Sequence, residues 1–119
     1  MNTAIINSDS YEKHDTGNGH PEQPKRVIAI KEKLKKRGDL IWEKPTSVPD
    51  DVLAMTHSKE YIRNLNKSFP QQGLKFLDGD TVVSPDSKKA VFDAAGSTIR
   101  AIDGIENKEF KNCLLYTSP

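Results

Sequence analysis

The chain has 119 residues, enough for about one small domain, and a hydrophobic fraction of 34%, which is low for a chain that folds by itself. Its 18 basic and 17 acidic residues nearly cancel, which excludes a broad electrostatic surface for nucleic acid or an anionic membrane. A single cysteine excludes an internal disulfide framework. No signal peptide and no apolar run of about 20 residues is visible, so the sequence predicts a cytoplasmic protein without a membrane partner.

The predicted elements begin with a short strand at 3–6, followed by a loop rich in glycine and proline. A helix is expected from Pro24, then a weak strand at 40–42 and a short helix at 48–55. Ser58 is a candidate N-cap of the next helix, and Ser84, before a proline and an acid, is expected to cap the last one. Apolar residues at helical spacing predict the buried stripe of this last helix: Val91, Ala94, Ala95, Ile99, Ile102 and Ile105.

These helices have apolar faces but few convincing strands to cover. A helix buries its apolar stripe against another layer of secondary structure, and that layer is largely missing from the predicted elements. We therefore expect the sequence to form one side of a larger domain. The helices that begin near Pro24 and Ser84 should then leave part of their apolar stripes exposed.

The loop at 14–26, HDTGNGHPEQPKR, concentrates unusual residues between a strand and a helix. His14, His20 and Asp15 together suggest a zinc site, but the spacing of the histidines is not a common ligand spacing, and a turn-shaping role is favoured. The glycines at 17 and 19 suggest a phosphate loop, but no G-K-[ST] follows. Arg26 stands at a helix start, where the helix dipole disfavours a cation, so its side chain is either solvated or holds an anion.

Two further segments have alternative interpretations. The residues Asp78-Gly-Asp80 resemble a fragment of a calcium loop, but the glutamate that completes an EF-hand is not at the required distance, and an acidic turn is favoured. The alanine, alanine and glycine at 94–96 predict close packing of a helix against a neighbouring element rather than a ligand site.

Several motifs in this order resemble one known family. They are H-x-T-G-x-G-H-P-E-x-P-x-R, H-S-x-x-Y-I, L-D-x-D-T-x-x-S-P-x-S and a helix with A-A-G, and they extend from 14 to 105. Together they resemble the N-terminal third of the histone deacetylase family, and especially its bacterial branch, which includes acetylpolyamine amidohydrolases. The resemblance implies an α/β fold: an N-terminal fragment of a three-layer α/β/α arginase/deacetylase-like domain, helix-rich by itself.

The resemblance also implies a zinc-dependent deacetylase-like amidohydrolase whose substrate is an acetylated lysine or an acetylated polyamine. Family members hold zinc with two aspartates and a histidine and use a tandem histidine pair, all downstream of the matched segment. This chain has no G-H-H and no D-x-H, so no zinc ligand and no catalytic acid or base is assigned to it. The segment by itself is expected to be inactive.

What the resemblance does assign lies at the periphery of an active site. His20 and Pro21 match the loop that forms one wall of the active-site mouth. Arg26 matches the arginine of an internal channel proposed for acetate exit. Asp80 matches a rim aspartate that accepts hydrogen bonds from the substrate backbone.

The end of the chain departs from the family pattern. An apolar strand and an arginine-proline-proline-glycine-histidine-histidine run are expected after 112, but the sequence continues as CLLYTSP. We therefore predict a partial histone deacetylase-like domain at 1–112 and a non-native tail at 113–119. An alternative from a different class of protein is a freestanding, non-catalytic helical binding module.

Overall fold

The computed structural model describes residues 2–116. Strands and helices are mixed along the described residues, and a 3-10 helix at Asp9–Lys13 follows the first strand. The strands are β1 (Thr3–Ile6), β2 (Leu40–Glu43), β3 (Lys75–Phe76), β4 (Val82–Val83) and β5 (Asn112–Leu115). The helices are α1 (Pro24–Leu34), α2 (Asp50–Leu53), α3 (Lys59–Ser68) and α4 (Ser87–Glu106).

A three-stranded parallel sheet in the order β2-β1-β5 forms the centre of the molecule. Thr3 of β1 lies opposite Leu40 of β2 and opposite Asn112 of β5. Ala4, Ile5 and Ile6 are fully buried, as expected for the central strand of a parallel sheet covered on both faces. The strands β3 and β4 form a separate antiparallel hairpin. The predicted α/β class is confirmed.

The strands predicted at 3–6 and 40–42 are both present, and the second continues to Glu43. The strand β5 was not predicted, and most of it lies in the segment assigned to a non-native tail. Tyr116, beyond β5, packs against a buried cluster that contains Tyr11 and Val27. Residues 117–119 lie outside the described part of the chain, and the origin of 113–119 stays a prediction.

The helix α4 buries a different face from the one that its apolar spacing predicts. The buried residues are small: Ser87, Ala90, Gly96, Ser97, Ala101 and Gly104. Of the predicted stripe, Ile102 is 57% exposed and Ile105 is 40% exposed, and the other members are half-buried. This helix therefore leaves part of its apolar stripe exposed at its C-terminal end, as expected.

The start of α4 also differs from the prediction. The helix begins at Ser87, so Ser84 lies in a turn just before it, where its backbone carbonyl accepts a hydrogen bond from the Ser87 N–H at 3.1 Å. Asp86 is the N-cap. The hydroxyl of Ser84 instead accepts a hydrogen bond from the Asp15 N–H at 3.3 Å, which ties the loop at 14–26 to the start of the helix.

Small residues on α4 allow two close approaches. A Cβ at Gly96 would lie 2.0 Å from the backbone oxygen of Thr46, so only glycine fits where the segment after β2 crosses the helix. A Cβ at Gly104 would lie 2.1 Å from the ring of Phe110, which is buried beneath the sheet-facing side of α4. The close packing predicted for the alanine-alanine-glycine segment is confirmed at Gly96. Within residues 2–116, no helix is long and apolar enough to cross a membrane.

Candidate active-site wall

The loop at 14–26 has its own internal hydrogen bonds. The Thr16 hydroxyl donates to the backbone carbonyl of Glu22, and the Gly17 N–H donates to the Asp15 carboxylate at 2.9 Å. Gly17 and Gly19 have φ values of 88° and 78°, in the region that favours glycine. These glycines therefore serve to turn the chain, as the turn-shaping interpretation of the loop expects.

His14 anchors the loop in the protein interior. Its side chain is buried, and Nδ1 lies 2.6 Å from the hydroxyl oxygen of Ser87 at the start of α4. Burial lowers the pKa of His14, because the interior disfavours the charged imidazolium. His14 is therefore a buried structural histidine whose ring fixes one end of the loop.

His20 connects the loop to a turn 60 residues further along the chain. Its Nε2 lies 2.7 Å from the backbone oxygen of Asp80, and its Nδ1 accepts a hydrogen bond from the Glu22 N–H at 3.0 Å. Both ring nitrogens are thus engaged, one within the loop and one across to the turn between β3 and β4.

The two aspartates of that turn have different roles. The Asp78 carboxylate accepts hydrogen bonds from the N–H groups of Asp80 and Thr81, each at 2.8 Å. These bonds, that from Asp80 first, lower the pKa of Asp78 because they favour the ionised carboxyl group. The Asp80 carboxylate takes no part in these turn bonds. The segment is the acidic turn favoured by the sequence.

The four residues assigned from the family resemblance converge on one surface pocket of about 660 Å³. His20, Pro21 and Arg26 enter it from the loop and from the first turn of α1, and Asp80 enters from the β3–β4 turn. Phe76 of β3, which is 67% exposed, lines the same pocket and was not singled out by the sequence. The signal for Phe76 was weak, since one aromatic residue in a short strand is common in any fold.

Arg26 has a neighbour that the sequence analysis missed. Its guanidinium lies 2.9 Å from the Glu22 carboxylate, four residues earlier, and its side chain is 55% exposed. An exposed ion pair of this kind contributes under about 1 kcal/mol to stability, so it explains little of why an arginine stands at a helix start. The Glu22–Arg26 spacing was the available signal.

A second cavity of about 300 Å³ lies next to this pocket. Its lining includes the buried His14, the apolar side chains of Leu65 and Phe69, and Tyr61 from the H-S-x-x-Y-I motif. His20 lines both cavities, so its ring stands between the surface pocket and the more apolar space beside it.

The described residues do not fit a zinc ion. Between residues 2 and 116, no three or more side chains of His, Cys, Asp or Glu are grouped so that they could hold a metal. Both ring nitrogens of His20 are hydrogen-bonded, and Nδ1 of His14 is bonded to Ser87. No catalytic step through zinc is derived from these residues.

Comparison with known proteins identifies the family. The family model described as the histone deacetylase domain matches residues 20–119. The chain belongs to the histone deacetylase family. It is 39% identical over 111 residues to an uncharacterized protein of Synechocystis, covering 87% of this chain and 35% of that protein. It is 29% identical over 125 residues to a "Probable deacetylase" of Archaeoglobus fulgidus, covering all of this chain and 34% of that protein.

The solved structures agree on the fold. The crystal structure of the HDA15 HD domain superposes with a TM-score of 0.86 at 20% identity, over all of this chain and 36% of that one. This histone deacetylase-family chain therefore has the arginase/deacetylase-like α/β fold and spans about a third of the length of its relatives. The roles of His20, Pro21, Arg26 and Asp80 stay predictions.

Proposed function

We propose that this chain supplies the N-terminal part of a zinc-dependent amidohydrolase that cleaves the amide bond of acetyl-lysine or of an acetylated polyamine. Membership of the histone deacetylase family supports a deacetylase-like function. One structural observation carries the proposal: the loop with His20 and Arg26 and the turn with Asp80 meet in one pocket. We place the zinc ligands in the part of the relatives' length that this chain does not span.

In this proposal His20 and Pro21 form one wall of the active-site mouth, and Asp80 stands at its rim. The hydrogen bonds of the turn support these roles. The Asp78 carboxylate accepts hydrogen bonds from the N–H groups of the turn, and the Asp80 carboxylate, which takes no part in them, can bind a ligand. A carboxylate accepts hydrogen bonds from the backbone N–H groups of a bound peptide, and such charge-assisted bonds are stronger than neutral ones.

Arg26 would hold the acetate product. A guanidinium binds a carboxylate through two parallel hydrogen bonds, a geometry that lysine does not reproduce. Glu22 already occupies one guanidinium nitrogen, so acetate would bind beside this ion pair or displace it.

The proposed partners are small acetylated substrates. The near balance of 18 basic and 17 acidic residues supports neither direct nucleic-acid binding nor adsorption to an anionic membrane. We propose a cytoplasmic location, which the single cysteine and hence the lack of any internal disulfide support.

The test is acetate release by a longer protein. A longer coding sequence that contains residues 1–112 is recovered from the same source, and the zinc-loaded product is assayed on an acetyl-lysine peptide and on an acetylated polyamine. We expect acetate release that a chelator abolishes, and the faster substrate identifies the branch. Failure of the zinc-loaded protein to hydrolyse either substrate would contradict the proposal.

A matched pair of variants tests the rim assignment in the same protein. Asp80→Asn removes a charge at the rim and should raise KM for the peptide about tenfold, the loss expected for a hydrogen bond to a charged group. Asp78→Asn keeps an oxygen that accepts the turn N–H groups and should change KM less than twofold. Equal effects of both substitutions would assign Asp80 to the turn rather than to the rim.

A further inference from the structure

The hydrogen bonds of His20 define which ring nitrogen accepts and which donates. The backbone N–H of Glu22 only donates, so Nδ1, 3.0 Å away, must accept and carries no proton. The backbone oxygen of Asp80 only accepts, so Nε2, 2.7 Å away, must carry the proton and donate. Nδ1 is therefore the acceptor of the ring and Nε2–H is its donor.

The contact joins two segments that are each shaped by their own bonds. The β3–β4 turn is held internally by the Asp78 carboxylate and by the hydrogen bond from the Leu77 N–H to the Thr81 oxygen at 2.8 Å. These bonds set the shape of the turn but not its position against the loop. The Nε2–H bond from His20 acts on that position, because it holds the carbonyl of Asp80 itself.

We propose that His20 is a positioning residue that clamps the Asp80 turn against the pocket wall. The rigid ring holds the loop backbone on one side and the turn backbone on the other, and so sets where the Asp80 carboxylate stands at the pocket. This inference rests on the proposed function for what Asp80 does there, but the clamp is a property of the present chain.

Two substitutions separate the two bonds of the ring. Asn has its side-chain oxygen near the place of Nδ1, so His20→Asn keeps an acceptor for the Glu22 N–H but does not reach Asp80. Gln has its side-chain nitrogen near the place of Nε2, so His20→Gln keeps a donor for the Asp80 carbonyl. The clamp predicts that Gln preserves the position of the turn and that Asn does not.

The first measurement is amide hydrogen exchange in the 119-residue chain. The N–H groups of Leu77, Asp80 and Thr81 should exchange about fivefold faster in His20→Asn, as expected for loss of one supporting hydrogen bond. They should exchange at nearly the original rate in His20→Gln. Unchanged exchange in β1 and α4 controls for a general loss of folding. Equal exchange in the two variants would overturn the clamp.

The second measurement is steady-state kinetics in the longer zinc-loaded protein. His20→Asn should raise KM several-fold more than His20→Gln does, with a smaller effect on kcat, since Asp80 would act on binding. Equal KM values in both variants would overturn the assignment of His20 as a positioning residue. An inactive longer protein would contradict the proposed function but not the role of His20. The hydrogen-exchange comparison needs no substrate and would still test whether His20 holds the Asp80 turn in place.

Discussion

Tyr11 and Ser97 are both completely buried, and their hydroxyl oxygens lie 2.5 Å apart between the 3-10 helix and α4. Burial raises the pKa of Tyr11 to about 12, so the phenol is protonated at neutral pH. Buried hydroxyl groups are costly when unpaired, so each of these residues depends on the other.

Tyr11→Phe should therefore lower the free energy of unfolding by about 1–3 kcal/mol, because the Ser97 hydroxyl is left without a partner. The double variant Tyr11→Phe/Ser97→Ala removes both polar groups and should recover most of that loss. The free energies of unfolding of both variants can be measured by urea unfolding, monitored through the fluorescence of Trp42, the single tryptophan. A double variant less stable than Tyr11→Phe alone would show that packing, not the hydrogen bond, sets the cost.

His14 makes the stability of the chain depend on pH. Burial lowers its pKa in the folded chain below the ordinary value of 6.5, so as the pH falls the unfolded chain binds the proton first. The free energy of unfolding should be unaffected by His14 well above pH 6.5 and should decrease as the pH falls below it. The decrease ends at the lower pKa of the folded chain.

Urea unfolding at pH 7.5 and at pH 5.5 tests this. His14→Gln should be less stable at both values but should lose the part of the pH dependence that comes from this ring. The control His57→Gln changes an exposed histidine that stacks on Tyr61, and the decrease below pH 6.5 should persist in it. An unaltered pH dependence in His14→Gln would contradict the assignment.

At the scale of elements, α4 organises the packing. Gly96 meets the backbone after β2, Gly104 meets the Phe110 ring, and both approaches require the absence of a Cβ. Gly96→Ala should destabilise the chain by about 1–3 kcal/mol, because backbone yields less than a flexible side chain. The control Gly38→Ala adds a Cβ with nothing within 4 Å and should change stability by less than about 0.5 kcal/mol. Equal stability of the two variants would contradict the crossing at Thr46.

The sequence predicted those elements whose signals are local. Ser58 caps α3 as expected, with its hydroxyl oxygen accepting a hydrogen bond from the Tyr61 N–H at 3.1 Å. The strand β5 was missed because 113–119 was interpreted as a non-native tail, and because its pairing partner β1 lies more than a hundred residues away. The prediction of the buried face of α4 was wrong because it followed the spacing of large apolar residues. The helix instead packs closely against its neighbours, and only small residues fit on the face that does so.

The candidate site shows the same limit. The motifs indicated that His20, Arg26 and Asp80 belong together, and the structure brings them to one pocket. The motifs did not indicate which atoms join these residues. His20 contacts the backbone oxygen of Asp80, and every residue type has such an oxygen, so the sequence cannot predict this contact. The different uses of Asp78 and Asp80 were equally invisible, since the two side chains are chemically identical.

At the scale of the whole molecule, the described sheet has free edges. Within residues 2–116, β2 and β5 each pair with β1 alone, and Leu114 of β5 is 43% exposed. Ile102 and Ile105 of α4 are also exposed, and the chain spans about a third of the length of its relatives. We propose that this surface packs against the remainder of a deacetylase domain.

The purified chain should consequently bind a hydrophobic dye or aggregate, because these apolar residues have no cover. Dye fluorescence should be much lower, per residue, for the longer protein of the same source. Absence of both dye binding and aggregation for the 119-residue chain would contradict this expectation.

We propose that the loop at 14–26 builds the wall of a deacetylase pocket and that Arg26 binds the acetate product. Acetate inhibition of the longer zinc-loaded protein tests it most directly. Arg26→Ala should weaken acetate inhibition about tenfold or more and lower turnover at normal zinc content, and Arg26→Lys should restore part of the loss. Glu22→Gln, which keeps the guanidinium, should retain acetate inhibition. Unchanged turnover and acetate inhibition in Arg26→Ala would contradict the account.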